Sequence, residues 1–73
     1  MRVIGLQDAN YYIKTVFEVI DVEYDMENKI VELSTIEGDC YKLRNIDIST
    51  YNSICTKLAK DGYVDVTEHG EIE

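Results

Sequence analysis

The groups that could do chemistry in this chain are two thiols, one imidazole and a large excess of carboxylates. Cys40 and Cys55 are separated by fourteen residues with no CxxC unit, which is not a zinc-ligand spacing. A reducing cytosol keeps such a pair as free thiols, and the fold reading below puts them on different faces. The lone histidine, His69, lies in Glu68-His69-Gly70-Glu71. An imidazole between carboxylates has the composition of a proton-transfer or metal site, but a site needs ligands held in place. No nucleophile elbow, P-loop, dinucleotide fingerprint or HExxH is present. The expectation is a non-catalytic protein with no metal and no cofactor.

The carboxylates carry more information. Asp and Glu number 15 against 7 Lys and Arg, a formal net charge of -8 in 73 residues. Glu18, Asp21, Glu23, Asp25 and Glu27 form one run, and Asp61, Asp65, Glu68, Glu71 and Glu73 form a second. Lys42, Arg44, Lys57 and Lys60 lie between the two. Such a chain repels phosphate backbones and attracts basic surfaces. The first run alternates along a strand, where residues two apart are spaced by ~6.6 Å. Successive phosphates along a DNA strand are on the order of 7 Å apart. Glu18, Asp21, Glu23, Asp25, Glu27 and Glu32 are therefore read as partner-binding residues along one strand edge. They would pair with Lys and Arg in the groove of a nucleic-acid-binding protein. By analogy of size and charge, the expected role is that of a DNA-mimicking inhibitor of the anti-defence type found in phages and mobile elements.

These side chains must be positioned by a small fold. A chain of this length buries only about 60% of its unfolded surface. Proline is absent, and no linker, repeat or apolar run of membrane-spanning length interrupts the sequence. The N-terminus lacks the apolar core of a signal peptide, so a cytoplasmic location is expected.

Ile20, Val22 and Tyr24 alternate with Asp21 and Glu23, which is strand period. The pattern slips at Val16-Phe17 and Val19-Ile20, which a bulge near Val19 or burial on both sides would explain. Upstream, Arg2 to Leu6 reads as a short strand, and Asp8 to Lys14 competes as a helix capped by Asp8. Residues 26–29 read as a turn, Ile30 to Ile36 as a strand, residues 37–39 as a second turn, and Tyr41 to Ile46 as a third strand. Closing the first loop opposite Asp25 and Ile30 pairs Tyr24 with Val31 and Val22 with Leu33. Placing Gly38 at the second tip pairs Val31 with Leu43 and Leu33 with Tyr41. A slip of one residue would turn every one of these side chains to water. In this register Glu23 faces Glu32, a like-charge contact that Lys42 in the next strand would relieve.

After Ile46 the period changes. Asp47 or Ser49 can cap a helix whose apolar stripe is Tyr51, Ile54, Cys55, Leu58 and Ala59. Lys57 and Lys60 suit its last turn, and Gly62 suits a left-handed C′ position. Val64 and Val66 then alternate in a final strand. The expected fold class is α+β: an antiparallel β-meander with one α-helix packed on one face and a final short strand. Residues 1–67 form the domain, and 68–73 are expected as a flexible acidic tail.

The run from Glu23-Tyr24-Asp25 through Leu33, Gly38, Tyr41 and Ile46, then the helix and Gly62-Tyr63, resembles the KTSC domain over residues 22–66. That small domain occurs alone and at the C-terminus of some lysyl-tRNA synthetases. The resemblance implies the meander-and-helix topology and an association with nucleic acid. Asp47-Ile48 stands where that family tends to have proline, and Val64-Asp65-Val66 replaces its aromatic-Asn ending. The alternative function is thus a nucleic-acid-associated domain using Lys42, Arg44, Lys57, Lys60 and the tyrosines left outside the core, Tyr11, Tyr12 and Tyr63. A homodimer formed by pairing an open sheet edge with itself is compatible with either reading.

Overall fold

Alternating side chains organise nearly half of the chain into strands. The computed structural model describes residues 1–8 and 10–73. The elements are β1 (Arg2–Asp8), β2 (Ile13–Asp25), β3 (Ile30–Thr35), β4 (Cys40–Leu43), α1 (Ile48–Asp61) and β5 (Tyr63–Asp65), then a 3₁₀ turn (Thr67–His69). The sheet order is β4-β3-β2-β1-β5. Neighbours pair antiparallel, except that β5 runs parallel to β1. The α+β class with a single helix packed on the sheet is the one the sequence implies.

The meander has the register set by its apolar pattern. Val22 pairs with Leu33, Tyr24 with Val31, Val31 with Leu43 and Leu33 with Tyr41. The irregularity in β2 falls between Val19 and Asp21. It inserts one residue, Ile20, and bends the strand. The first half of β2 pairs with β1 and the second half with β3. The start of the chain is thus a strand and hairpin, not a helix begun by Asp8. Asp8 instead accepts a hydrogen bond from the Asn10 N–H at 3.1 Å.

Helix α1 begins and ends on the expected residues. The Asp47 carboxylate accepts the Thr50 N–H at 2.8 Å, and Gly62 has φ 78° and donates to the Leu58 carbonyl. Ile54 and Leu58 enter the core, while Tyr51 and Cys55 are half-buried and Ala59 is exposed. Tyr51 stacks on Tyr24 with ring centroids 4.7 Å apart, and the Tyr24 hydroxyl donates to the Ile46 carbonyl at 2.6 Å.

The largest departure from the sequence reading is at the C-terminus. Residues 68–73 are not a flexible tail. Ile72 is only 2% exposed and belongs to the core with Val3, Phe17, Leu33, Leu43 and Val66. Its N–H donates to the Leu6 carbonyl, and Lys42 and Glu73 exchange both backbone hydrogen bonds. Ile72 thus touches β1 on one side and β4 on the other, which links the two halves of the sheet. Gly5 makes room for it, because a Cβ there would overlap the Ile72 side chain. The segment is ordered because it satisfies backbone groups that two strands would otherwise leave open. This also occupies the β4 edge at Lys42, where the meander alone would offer itself to a second copy.

Candidate functional site

Glu18, Asp21, Glu23 and Glu32 lie on the outer face of the sheet, because Phe17 and Val19 before the bulge, and Val22 and Tyr24 after it, take the inner one, whereas Glu27 lies in the turn between β2 and β3 and not on the strand. Glu18, Asp21, Glu23 and Glu27 are exposed, and Glu32 is half-buried. Glu23 and Glu32 are direct cross-strand partners, and Lys42 is the partner of Glu32 on the other side. Among the described residues, none of Glu18, Asp21, Glu23, Glu27 and Glu32 takes part in an ion pair; the pairs are Lys14–Asp65, Arg44–Glu73, Lys57–Asp61 and His69–Glu68. The register therefore brings Glu23, Glu32 and Lys42 into one row, but no ion pair neutralises the carboxylates.

Asp25 has a different role. Its carboxylate accepts the Asn28 side-chain amide at 2.9 Å, and the Asn28 and Glu27 N–H groups at 3.1 Å each. Those bonds, led by the Asn28 side chain, hold its pKa below the ordinary value of 3.8. Asp25 closes the turn into β3 while remaining ionised. Each half of β2 has a strand partner on one side only, β1 over residues 13–18 and β3 over residues 19–25, so Asp21, Glu23 and Asp25 lie on a stretch whose other side meets helix α1, where the Tyr51 hydroxyl donates to the Val22 carbonyl at 3.4 Å. The stripe differs from its expected form in one further respect. Its regular pitch covers Asp21, Glu23 and Asp25, and the extra residue at the bulge breaks it between Glu18 and Asp21.

Apolar side chains sit among these charges. Val16 is 57% exposed, Ile20 63% and Met26 70%. Val16 and Ile20 flank Glu18 along β2, so the outer face is a mixed surface of aliphatic and acidic groups. Alternation places Val16 outside, and the bulge adds Ile20 to the same side. The sequence slip at Val16-Phe17 and Val19-Ile20 was the signal for this, but it does not say which apolar member of each pair is exposed.

The basic cluster between the acidic runs is dispersed. Arg44 pairs with Glu73, and Lys57 pairs with Asp61 at 2.8 Å one helical turn away. Of the tyrosines outside the core, Tyr11 is 78% exposed and Tyr12 67%, both in the β1–β2 turn, whereas Tyr63 lies on β5. Cys40 is an exposed thiol on β4 and Cys55 a half-buried one on α1.

His69 is held in the 3₁₀ turn, not in a mobile tail. It lines a groove of about 580 Å³ with Thr50, Ser53, Lys57 and Glu68, between α1 and β5. Its Nε2 is 3.5 Å from the Glu68 carboxylate. The Ser53 hydroxyl donates to the Ser49 carbonyl, and Lys57 is engaged by Asp61. Among the described residues no cluster of His, Cys, Asp and Glu has the geometry to hold a metal ion. Among them too, no helix is long and apolar enough to cross a membrane. Compared with family models, curated proteins and solved structures, the chain matches none.

Proposed function

We propose that this chain is a non-catalytic, cytoplasmic protein-binding module whose outer sheet face docks on a basic surface of its partner. The observation that carries the reading is the set of exposed carboxylates free of ion pairs, Glu18, Asp21, Glu23 and Glu27, interleaved with exposed Val16 and Ile20. Unpaired surface charge of one sign steers a partner of opposite sign and raises its association rate. Exposed aliphatic groups in the same surface add contact area that loses water on docking. The pitch of Asp21, Glu23 and Asp25 suits a groove built for a phosphate backbone, so the proposed partner class is a nucleic-acid-binding protein, with blockade as the consequence. The nucleic-acid-associated alternative has weaker support, because Arg44 and Lys57 are already engaged by carboxylates.

The test is capture from a lysate of the source organism at low and high salt, with wild type and an Asp21→Lys/Glu23→Lys variant. The expected result is a nucleic-acid-handling protein held by wild type at low salt, released at high salt and lost by the variant. Unchanged capture by the variant refutes the acidic-face reading, as does capture of nothing but the protein itself or RNA. A gel-retardation assay with the purified protein should show no nucleic-acid shift even at low salt.

A further inference from the structure

We propose that a shallow cleft at the end of this same face is the socket for one apolar anchor side chain of the basic partner. The inference rests on the docking reading above. The cleft is lined by Arg2, Ile4, Val16 and Tyr63, and its volume is about 270 Å³. Three neighbouring strands build it. Ile4 of β1 pairs with Val16 of β2, and Arg2 of β1 pairs with Tyr63 of β5. Cavities that take whole small molecules run from about 300 to 1,000 Å³. This one lies below that range and is open, which suits a single large side chain.

Its rim is charge-balanced. Lys14 of β2 and Asp65 of β5, on the strands either side of β1, pair at 3.8 Å, and Arg2 is the cross-strand partner of Glu18. A balanced rim around aliphatic and aromatic walls favours an uncharged apolar occupant. What surrounds the occupant is set further along the strand. Ile20, exposed, continues the apolar surface from Val16 toward Asp21 and Glu23. Val16 and Asp21 are five positions apart in the sequence, on the order of 15 Å along a strand. The partner segment therefore carries its apolar anchor about five extended residues from a group of Lys or Arg. A buried anchor with an accessory charged flank is how binding energy is ordinarily distributed in protein interfaces.

The experiment uses the intact protein and a defined probe. That probe is a synthetic peptide with one phenylalanine, a spacer of about five Gly and Ser residues, and a lysine cluster. One control replaces the phenylalanine by serine, and another replaces the lysines by serine. Titrations at low and high salt give affinities, and NMR of the Ile4 and Val16 methyl groups reports the location. The phenylalanine peptide should shift those methyls and bind about tenfold or more tightly than its serine control. Val16→Asp, at a solvent-exposed position, should remove that advantage while the lysine dependence stays. Equal affinity of the phenylalanine and serine peptides, or shifts confined to other surfaces, overturns the socket. A phenylalanine advantage at the cleft with no dependence on the lysines or on salt overturns the acidic-face reading instead, and with it the basic character assigned to the partner.

Discussion

Replacing Ile72 by alanine should destabilise this protein more than almost any other single truncation. Ile72 is 2% exposed, it is enclosed by the main core cluster, and its backbone bridges β1 and β4. Truncating a buried isoleucine to alanine costs about 2–5 kcal/mol, the spread reflecting how far the site can collapse. Domains carry roughly 0.05–0.15 kcal/mol per residue, hence about 4–11 kcal/mol for a chain of 73 residues. The variant thus loses between about a fifth and all of the total. With a urea dependence of about 1 kcal/mol per molar for a domain this small, the unfolding midpoint falls by about 3 M. The matched control is Ile36→Ala, at a site 71% exposed, where a change within about 0.5 kcal/mol is expected. Urea titrations followed by circular dichroism measure both. If Ile72→Ala loses no more than Ile36→Ala, the C-terminal segment is not part of the core and the reasoning fails. Gly5 supplies an independent check on the same contact. Gly5→Ala places a methyl against Ile72, and overpacking of this kind costs about 1–3 kcal/mol. The double variant Gly5→Ala/Ile72→Ala should be less destabilised than the sum of the two, because the second truncation removes the overlap. Strict additivity would mean that the two residues do not touch.

Gly62→Ala should cost about 1 kcal/mol in a thermal melt, because φ 78° at the helix C-terminus penalises any Cβ. Asp25, Asp47 and Asp65 are held below the usual carboxylate range by hydrogen bonds from Asn28, Thr50 and Thr67 respectively, so their contribution is complete above an unfolded value near 3.8 and is lost as pH falls through the folded one. The urea midpoint should accordingly hold from pH 7 to about pH 5 and fall below it, and Asp47→Asn, which keeps a cap acceptor that does not titrate, should fall less steeply. Glu23→Lys should raise the melting temperature at low salt by relieving the contact with Glu32, an effect of about 0.2–1 kcal/mol that shrinks as salt is added. Cys40 should react with a thiol-specific chromogenic reagent in the folded state well before Cys55, and equal rates would contradict the half-burial of Cys55 on α1.

The meander and the helix were legible because their contacts are local. Apolar residues at every second position, joined by short loops, bring Val22, Leu33 and Tyr41 together in only one register that keeps them dry. Asp47, the stripe through Ile54 and Leu58, and Gly62 define the helix by capping and period alone. The same alternation put Glu18, Asp21, Glu23 and Glu32 on the solvent side, so the candidate face could be named before its geometry. The role of Asp25 in the turn could not be read this way, since a carboxylate on an alternating strand looks the same whether or not a backbone N–H points at it.

Tertiary structure alone decided what depends on residues far apart in the chain. A strand propensity for Arg2 to Leu6 says nothing of a parallel partner at residues 63–65, and the proposed socket exists only because that partner adds Tyr63 beside Arg2. A single isoleucine between Glu71 and Glu73 has no period, so no local pattern marks it as core. Gly5 inside a strand pattern was the one available hint, since a strand glycine often marks a close approach by another group. Composition determined the acidity, and residue order, through its periods of two and about 3.6, determined the α+β class with most of the excess charge facing water. The open edge of β4, and the stretch of β1 at Leu6 beyond its pairing with β5, determined where the last residues go, because backbone hydrogen-bonding groups must be satisfied and Ile72 fits the space that Gly5 leaves open.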